Sequence, residues 1–369
     1  MTTLFLCGDV MTGRGIDQIL PHPCDPRLYE PSVRSASQYV ALAERANGRI
    51  DAPRDFDYVW GDALAEIERR VPDARIANLE TAVTKSEEPW PGKGINYRMH
   101  PRNVPCLAAP RLDCCVLANN HVMDWGRGGL AETLRTLHGA GIRTAGAGEN
   151  AREAAAPAVI AIARDLRVLV FAFAMESSGV PPDWEADEHG AGVAYLHDLS
   201  PGTIDAISRR VAFHRKPGDV VVFSVHWGGN WGYGVSRDER AFAHALVDRA
   251  GADVVHGHSS HHPKGIEIHH GRPIFYGCGD LINDYEGIGG WDEFRPELSL
   301  LYFASFDEDG HALRRLELVP MRMRRFRLEH ASDEARHWLG EAMARAGAPL
   351  GTRFDAQESG AFLASPQRP

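Results

Sequence analysis

The sequence predicts an α/β fold, in which buried strands alternate with amphipathic helices. Short apolar runs such as residues 220–225 lack the polar alternation of a half-exposed strand, which is typical of strands buried on both faces. Between these runs lie segments with apolar residues at helical spacing, for example residues 130–138, which Gly139 and Gly141 follow as stop signals. Alternation of this kind indicates layers of helices and sheets.

The predicted elements follow one another through most of the chain. Strands are expected at residues 4–7, 75–77, 114–118, 220–225, 254–255 and 274–276, and helices at residues 56–70, 130–138, 204–213 and 239–250. After Pro296 the pattern predicts two adjacent strands at residues 298–306 and 313–319, a helix at residues 333–346 and a loose tail from residue 347. Residues 21–55 and 176–195 are expected to form loops over the site. We therefore predict a catalytic domain over residues 1–325 and a C-terminal helix with a loose tail over residues 326–369.

The composition is typical of a globular protein with an excess of acidic residues. The 369 residues are 44% hydrophobic, and 50 Asp and Glu outnumber 40 Lys and Arg, which gives a formal net charge of −10. Because no basic stripe is present, nucleic acid is excluded as a partner. The six cysteines form no CxxC pair, and neither a secretory signal nor a membrane-length apolar run is seen. We therefore expect a cytoplasmic protein without a membrane partner.

Polar residues follow the predicted strands at the point where each strand ends. Asp9, Glu80, Asn120, His226 and His258 come after five different runs. Each of them alone is typical of a turn, a loop or a hydrogen-bonded core histidine. Because sites in α/β sheets form beyond the carboxyl ends of strands, we expect these side chains to converge. Carboxylate, amide oxygen and imidazole are donors that divalent ions accept, so the set predicts a metal site.

The order of these motifs resembles that of the CapA family, which is named for a poly-γ-glutamate capsule protein and is similar to calcineurin-like metallophosphoesterases. The resemblance covers residue 3 to about residue 320. It rests on Gly8-Asp9-Val10-Met11, Asn78-Leu79-Glu80, Asn119-Asn120-His121, His226-Trp227-Gly228, Gly257-His258-Ser259-Ser260-His261 and Gly279-Asp280-Leu281. It implies a four-layer αββα sandwich with two mixed β-sheets and a metal site at one edge of both sheets.

Two departures from the phosphoesterase pattern reduce the expected metal content. The pattern begins Asp-x-His, but Met11 stands at the histidine position here. It ends Gly-His-x-His, but Ser260 replaces the second histidine. Both missing imidazoles would serve the same one of two metal sites. We therefore expect one divalent ion (Ca²⁺, Mn²⁺, Mg²⁺ or Zn²⁺), held by the five residues named above, and no organic cofactor.

Two histidine–carboxylate sets are candidates for proton transfer. His121 matches the position of the phosphoesterase general acid, and Asp124 is expected to orient it. His261 and His262 follow the ligand His258, and Asp280 arrives from the next strand end. Two such sets facing one cavity would act on opposite sides of a substrate carbon. The alternatives are that His261 and His262 are exposed loop residues and that Asp124 is a helix N-terminal residue.

Four further residues are candidates for substrate binding. Arg98 is expected to bind a substrate carboxylate, with a solvated surface arginine as the alternative. Trp227, Trp231 and Tyr233 follow His226 in a Gly-rich loop, where they would line an aromatic pocket or cap the core.

These candidates lead to three functional hypotheses. One branch of the CapA-like family epimerises the C-terminal tryptophan of a lasso-peptide precursor, and the depleted metal site is similar to that branch. We therefore expect a metal-dependent peptide epimerase, an isomerase that inverts the Cα of a C-terminal residue of a ribosomal lasso-peptide precursor by two-base chemistry. The alternatives are a metallophosphoesterase or other hydrolase, or a poly-γ-glutamate-related CapA-like protein. A third hypothesis is a non-catalytic peptide-binding module.

Overall fold

The computed structural model describes residues 1–163, 166–307 and 310–367. Its strands are β1 (Thr2–Val10), β2 (Ala74–Leu79), β3 (Ala82–Val83), β4 (Arg98–Met99), β5 (Cys114–Val116), β6 (Arg143–Ala145), β7 (Ala147–Gly148), β8 (Ala158–Ala163), β9 (Leu166–Ala174), β10 (Gly192–Val193), β11 (Val220–His226), β12 (Val254–His258), β13 (Ile266–His269), β14 (Arg272–Phe275), β15 (Asp280–Ile282), β16 (Leu298–Phe306), β17 (Leu313–Arg324), β18 (Arg327–His330), β19 (Thr352–Ala356) and β20 (Phe362–Pro366). Its α-helices are α1 (Arg14–Ile19), α2 (Ser37–Asn47), α3 (Ala63–Arg70), α4 (Pro105–Ala108), α5 (Gly126–Gly139), α6 (Ala151–Ala155), α7 (Pro201–His214), α8 (Arg237–Asp248) and α9 (Asp333–Gly347).

Most strands belong to two mixed sheets. The larger sheet has the order β19-β20-β17-β16-β1-β2-β5-β6, with β15 beside β1 and β18 beside β17. The smaller sheet has the order β13-β14-β12-β11-β9-β8. In the larger sheet β1 runs parallel to β2 and antiparallel to β16, and in the smaller sheet β11 runs parallel to both of its neighbours. The expected α/β class with two mixed sheets is therefore confirmed.

Consecutive residues of β16 show that the larger sheet is covered on both faces. The ring of Tyr302 lies 5.0 Å from that of Phe275, which belongs to β14 of the smaller sheet. The next residue, Phe303, points to the opposite face, where the guanidinium of Arg70 from α3 lies 4.7 Å from its ring. Because side chains alternate along a strand, the smaller sheet covers one face of the larger sheet and a helix covers the other.

The smaller sheet is likewise covered on both faces. Val222 of β11 joins the core between the two sheets, whereas the following Phe223 packs in a separate cluster with Ile207 of α7 and Phe242 of α8. The order of layers is thus helix, sheet, sheet, helices, which agrees with the four-layer sandwich that the resemblance implied.

The structure corrects three local predictions. The predicted helix over residues 56–70 begins only at Ala63, because Gly61 has a φ of +44°, which a right-handed helix does not allow. The expected loop over residues 21–55 contains α2. The predicted tail is not loose, since β20 pairs with β17 and buries Phe362 at the edge of the larger sheet. The domain boundary after residue 325 stays a prediction.

Among the residues that the structure describes, no helix has the length and apolar character needed to cross a bilayer.

Candidate metal centre

The carboxyl ends of strands from both sheets meet at one place. Asp9 lies at the end of β1 in the larger sheet, and His226 and His258 are paired across the ends of β11 and β12 in the smaller sheet. All three side chains are buried, and one donor atom from each lies within 4.8 Å of the others. The structure therefore contains a group of residues able to hold a metal ion where the two sheets adjoin.

A chain of hydrogen bonds fixes the protonation of the ring of His258. His256 Nε2 lies 2.8 Å from the carbonyl oxygen of Cys7, which can only accept, so Nε2 carries the proton and Nδ1 accepts from Ser224 Oγ at 3.1 Å. Ser224 Oγ then accepts from His258 Nε2 at 2.7 Å. His258 Nδ1 is consequently left with a bare lone pair.

His226 lies between His258 and two further polar side chains. Its Nε2 lies 3.1 Å from Asn120 Oδ1 and 4.0 Å from Glu80 Oε1. Burial, followed by the charges of nearby histidines, holds the pKa of His226 and of His258 well below the ordinary value of 6.5. Two neutral imidazoles thus bring their Nδ1 atoms to within 2.6 Å of each other, a hydrogen-bond distance at which His258 Nδ1 accepts a proton from His226 Nδ1 when no ion is bound. A cation beside Asp9 would replace this proton.

Buried carboxylates supply negative charge beside these nitrogens. Asn78 Nδ2 donates to Asp9 Oδ1 at 2.8 Å and to Glu80 Oε2 at 3.0 Å. Burial and then the charge of Asp280 raise the pKa of Asp9 to about 7, and burial and then the charge of Asp9 raise the pKa of Glu80 well above its usual range. A divalent ion would compensate the repulsion between these carboxylates, so the donor set fits a metal both in atom type and in charge.

The five expected ligands do not have equivalent positions. Asp9, His226 and His258 each have one donor atom within 4.8 Å of the others. Asn120 Oδ1 and Glu80 Oε1 instead face Nε2 of His226, the ring nitrogen away from His258. The structure thus brings all five residues together, with three of them in position to bind an ion and two on the other side of the His226 ring.

The first proton-transfer set is in contact as expected. His121 Nδ1 lies 2.6 Å from Asp124 Oδ2, which also accepts from the backbone N–H of Tyr97 at 2.7 Å. Lys93 Nζ donates to the carbonyl of Asn120 and lies 3.5 Å from Asp124 Oδ1. Burial lowers the pKa of His121 to about 4 despite the charge of Asp124. His121 is therefore a neutral imidazole held by a buried carboxylate.

In the second proton-transfer set, His261 contacts Asp280 as expected, but His262 does not face the site. His261 Nδ1 lies 2.9 Å from Asp280 Oδ1, and although burial acts to lower it, the pKa of His261 is raised by the charge of Asp280 and this hydrogen bond. His262 has no free ring nitrogen, because Nδ1 is 3.1 Å from the carbonyl of Pro263 and Nε2 accepts from the backbone of Gly232 at 3.0 Å. His262 therefore supports the loop instead of facing the site, and neither histidine is an exposed loop residue.

Two of the predicted substrate-binding residues, Arg98 and Trp227, are buried and make structural contacts within the protein. Arg98 is buried, stacks 3.9 Å from the ring of Trp125 and donates to the carbonyls of Ser86 and Asp25, so its guanidinium is not directed at a ligand. Trp227 is 2% exposed and its indole nitrogen donates to the carbonyl of Tyr276 at 3.0 Å, which makes it a core residue.

Trp231 and Tyr233 lie instead in an aromatic cluster at the surface. Trp231 stacks on Trp291 with ring centroids 4.5 Å apart, and Tyr233 lies 5.6 Å from Phe294. The Trp231 ring is also 5.2 Å from that of His261. This cluster therefore adjoins the His261 side of the site.

Four residues that orient the candidate ligands were not predicted from the sequence. Ser224 and His256 each precede a ligand histidine by two residues, and the twofold period of a strand places them on the same face as that ligand. Asn78 and Asn119 stand in the recognised motifs but were not assigned a role, although Asn119 Nδ2 donates to Asn78 Oδ1 at 2.9 Å. The twofold period of strands could have identified Ser224 and His256 from the sequence.

The architecture and the site define an α/β protein with a group of possible metal ligands where its two sheets adjoin. Residues 3–285 match the family described as bacterial capsule synthesis protein PGA_cap, and this chain belongs to that family. It is 47% identical over 354 residues to the probable polyglutamine synthesis accessory protein of Mycobacterium tuberculosis, which covers 96% of this chain and 93% of that protein. It is also 25% identical over 319 residues to the PGA biosynthesis protein CapA of Bacillus subtilis, covering 85% of this chain and 70% of that one.

These relationships confirm the CapA-like resemblance and overturn the expected enzyme class. The relatives are named as accessory and biosynthesis proteins of a polymer, not as isomerases. The prediction of a peptide epimerase acting on a lasso-peptide precursor is therefore wrong. The motif series determined the family correctly, but the family's motifs do not determine the substrate, because function depends on the site and not on the fold.

Proposed function

We propose that this protein is an accessory protein in the synthesis of a poly-γ-glutamate or polyglutamine polymer, and that its site binds one divalent ion together with the polymer. The observation that carries the proposal is the pair of Nδ1 atoms of His226 and His258, which lie 2.6 Å apart in a group with the carboxylate of Asp9. The names of the relatives supply the polymer class.

The charge of the site explains why an ion is needed. Asp9 and Glu80 are buried side by side, Asp280 is close enough to raise the pKa of both, and the chain carries a formal net charge of −10. Without a cation, Asp9 and Glu80 bind protons more readily than usual, and the site offers no positive charge to a polymer that bears carboxylates. A bound divalent ion supplies Lewis-acid charge to a carboxylate or amide oxygen. Two imidazoles among the donors favour Zn²⁺ over Ca²⁺ and Mg²⁺.

The proposed partner is therefore a peptide-like chain and not a nucleic acid. The cytoplasmic location expected from the sequence stays a prediction.

Polymer binding is tested by calorimetry with a short γ-glutamyl oligomer. Protein stripped with EDTA should not bind the oligomer, and adding Zn²⁺ or Mn²⁺ should restore binding. His226→Ala should abolish the restored binding, because it removes one of the two facing nitrogens. His337→Ala, which changes a histidine with a 78% exposed side chain on α9, is the matched control and should bind normally. Equal binding with and without EDTA would contradict the proposal.

A second candidate function is metal-dependent hydrolysis, which the contact between His121 and the buried Asp124 favours. A neutral histidine oriented by a carboxylate can give or take a proton at a bound ester or amide. His121 Nε2 lies 3.9 Å from Glu80 Oε1, so its free nitrogen faces the site. Turnover of an aryl phosphodiester or release of glutamate from the oligomer would support hydrolysis if His121→Ala lowers the rate about 10²–10⁴-fold. Binding of the oligomer without any cleavage would contradict hydrolysis and would support only the accessory role.

A further inference from the structure

A second group of histidines and carboxylates lies where α8 passes the β13–β14 hairpin. Asp248, the last residue of α8, is contacted by His269 Nε2 at 3.0 Å and by His270 Nδ1 at 2.9 Å. One donor atom from each of the three residues lies within 4.8 Å of the others. We propose that Asp248, His269 and His270 form a second divalent-metal site, separate from the site of Asp9, His226 and His258, that binds a borderline transition ion such as Zn²⁺.

The two histidines are held at the tip of a tight hairpin. His269 pairs with Arg272, and the turn between them consists of His270 and Gly271, with φ values of +49° and +76°. Glycine and asparagine adopt the left-handed region more readily than histidine does, so the turn itself does not require an imidazole at position 270. The turn places both rings on the side where α8 ends, with ring centroids 4.0 Å and ring planes 31° apart, and each ring presents one nitrogen to the carboxylate of Asp248 before an ion binds.

The end of α8 provides an independent reason for a cation at this place. The C-terminal end of a helix carries partial negative charge, and Asp248 adds a carboxylate to it. The first turn of α8 contains Asp238 and Glu239, which complement the helix dipole, but its last turn contains no basic residue. A divalent ion on Asp248 would provide the positive charge that the last turn lacks.

Exposure leaves the site open to an ion from solution. The side chain of His270 is 72% exposed, that of Asp248 is 41% exposed and that of His269 is 16% exposed. Three protein ligands with this exposure leave a coordination position for water or for a ligand from another molecule. The site therefore fits an exchangeable ion and not a closed structural one.

The neighbouring group of His244, Glu267 and His269 is less suitable for an ion. Glu267 is already bound by Arg240 through both oxygens, at 2.7 and 3.2 Å, and by the hydroxyl of Tyr276 at 2.7 Å. The ring of His244 lies parallel to that of His269, with centroids 3.8 Å apart and planes 4° apart. His244 Nε2 lies 3.1 Å from Glu267 Oε1, the same oxygen that Arg240 contacts, so the carboxylate of this group is already engaged.

Calorimetric titration of the full chain with Zn²⁺, after stripping with EDTA, tests the proposal. We expect two classes of binding in the unchanged protein. The double variant His269→Ala/His270→Ala should lose one class, and Asp248→Asn should weaken the same class by at least about tenfold. Asp9→Asn should lose the other class and keep the one at the hairpin. These outcomes separate the two sites.

His337→Ala is the control, because His337 is also exposed and lies 3.3 Å from a carboxylate, that of Glu341. It should bind Zn²⁺ as the unchanged protein does. Circular dichroism without metal checks the fold of each variant, and the single variant His270→Ala replaces the double variant if the latter unfolds. Unchanged Zn²⁺ stoichiometry in the hairpin variants would overturn the proposal, as would an equal loss in His337→Ala.

Discussion

Replacing Asp9 by asparagine is expected to stabilise the metal-free protein while abolishing binding of metal at the central site. Burial and then the charge of Asp280 raise the pKa of Asp9 to about 7, from an ordinary value of 3.8. The folded protein therefore binds this proton more tightly than the unfolded chain does. The free energy of unfolding should fall as the pH rises from about 4 to about 7 and stay low above that range, because the folded protein then contains a buried charge.

The size of the effect follows from the two pKa values and one hydrogen bond. The difference between about 7 and 3.8 corresponds to about 4 kcal/mol, at about 1.36 kcal/mol per pH unit. Asparagine is uncharged and can still accept from Asn78, but its amide group would meet the backbone N–H of Ser259, which donates to Asp9 Oδ2 at 3.3 Å. That mismatch costs about 1–3 kcal/mol. We therefore expect Asp9→Asn to raise the free energy of unfolding of the metal-free protein by about 1–3 kcal/mol at pH 8.

Urea unfolding in EDTA at pH 4 and pH 8, repeated at pH 8 with excess Zn²⁺, measures this prediction. The variant should be the more stable protein at pH 8 in EDTA, and this advantage should be lost at pH 4. Zn²⁺ at a hundredfold excess over its dissociation constant should add about 2.7 kcal/mol for the central site of the unchanged protein and nothing for that site in the variant. Asp355→Asn, at a carboxylate that is 52% exposed, is the control and should stay within about 0.5 kcal/mol. An Asp9→Asn variant that is less stable than the unchanged protein in EDTA at pH 8 would refute the reasoning.

Three further predictions concern stability. Trp227→Ala should lower the free energy of unfolding by about 3–5 kcal/mol, because this side chain is 2% exposed. Trp231→Ala should lower it by less than about 1.5 kcal/mol. Equal losses in urea unfolding would contradict the distinction between a core and a surface tryptophan. Glu66→Gln should lower the free energy of unfolding by about 1–2 kcal/mol at pH 7: although burial acts to raise it, the pKa of Glu66 is lowered to about 2 by hydrogen bonds from His330, Arg69 and Arg70. Its stabilisation should be present above pH 4.5 and lost as the pH falls towards 2, so acid unfolding of the variant should show a weaker pH dependence than that of the unchanged chain. Truncation before Gly351 should lower the melting temperature by several degrees, because it removes β19, β20 and the buried Phe362; an unchanged melting temperature would restore the prediction of a loose tail.

The convergence of the site could be predicted from the order of residues alone. Parallel strands end at the same edge of a sheet, so Asp9, Glu80 and Asn120 had to lie close together once their runs were recognised as neighbouring strands. His226 and His258 follow the same rule in the other sheet. The twofold period of these strands would also have identified Ser224 and His256, but this signal was not used.

The roles of polar and aromatic side chains beside the site could not be predicted in this way. The sequence predicts Arg98 to bind a carboxylate, but its guanidinium donates to the backbone carbonyls of Ser86 and Asp25, which are distant in sequence. His262 adjoins His261, but its two ring nitrogens are bound by the backbone. Hydrogen-bond partners of this kind are distant in sequence, and no local pattern encodes them.

By itself, the sequence determined the α/β class, the family and the strand ends at which the candidate metal ligands lie, because strand burial, the order of motifs and the position of polar residues are patterns along the chain. The tertiary structure alone decided which donor atoms face one another. The bare Nδ1 of His258 depends on a proton arrangement that runs through Ser224 and His256 to the carbonyl of Cys7 in the other sheet. That arrangement exists only when the two sheets pack together, since hydrogen bonds between residues about 250 positions apart are made by packing and not by any periodicity of the chain.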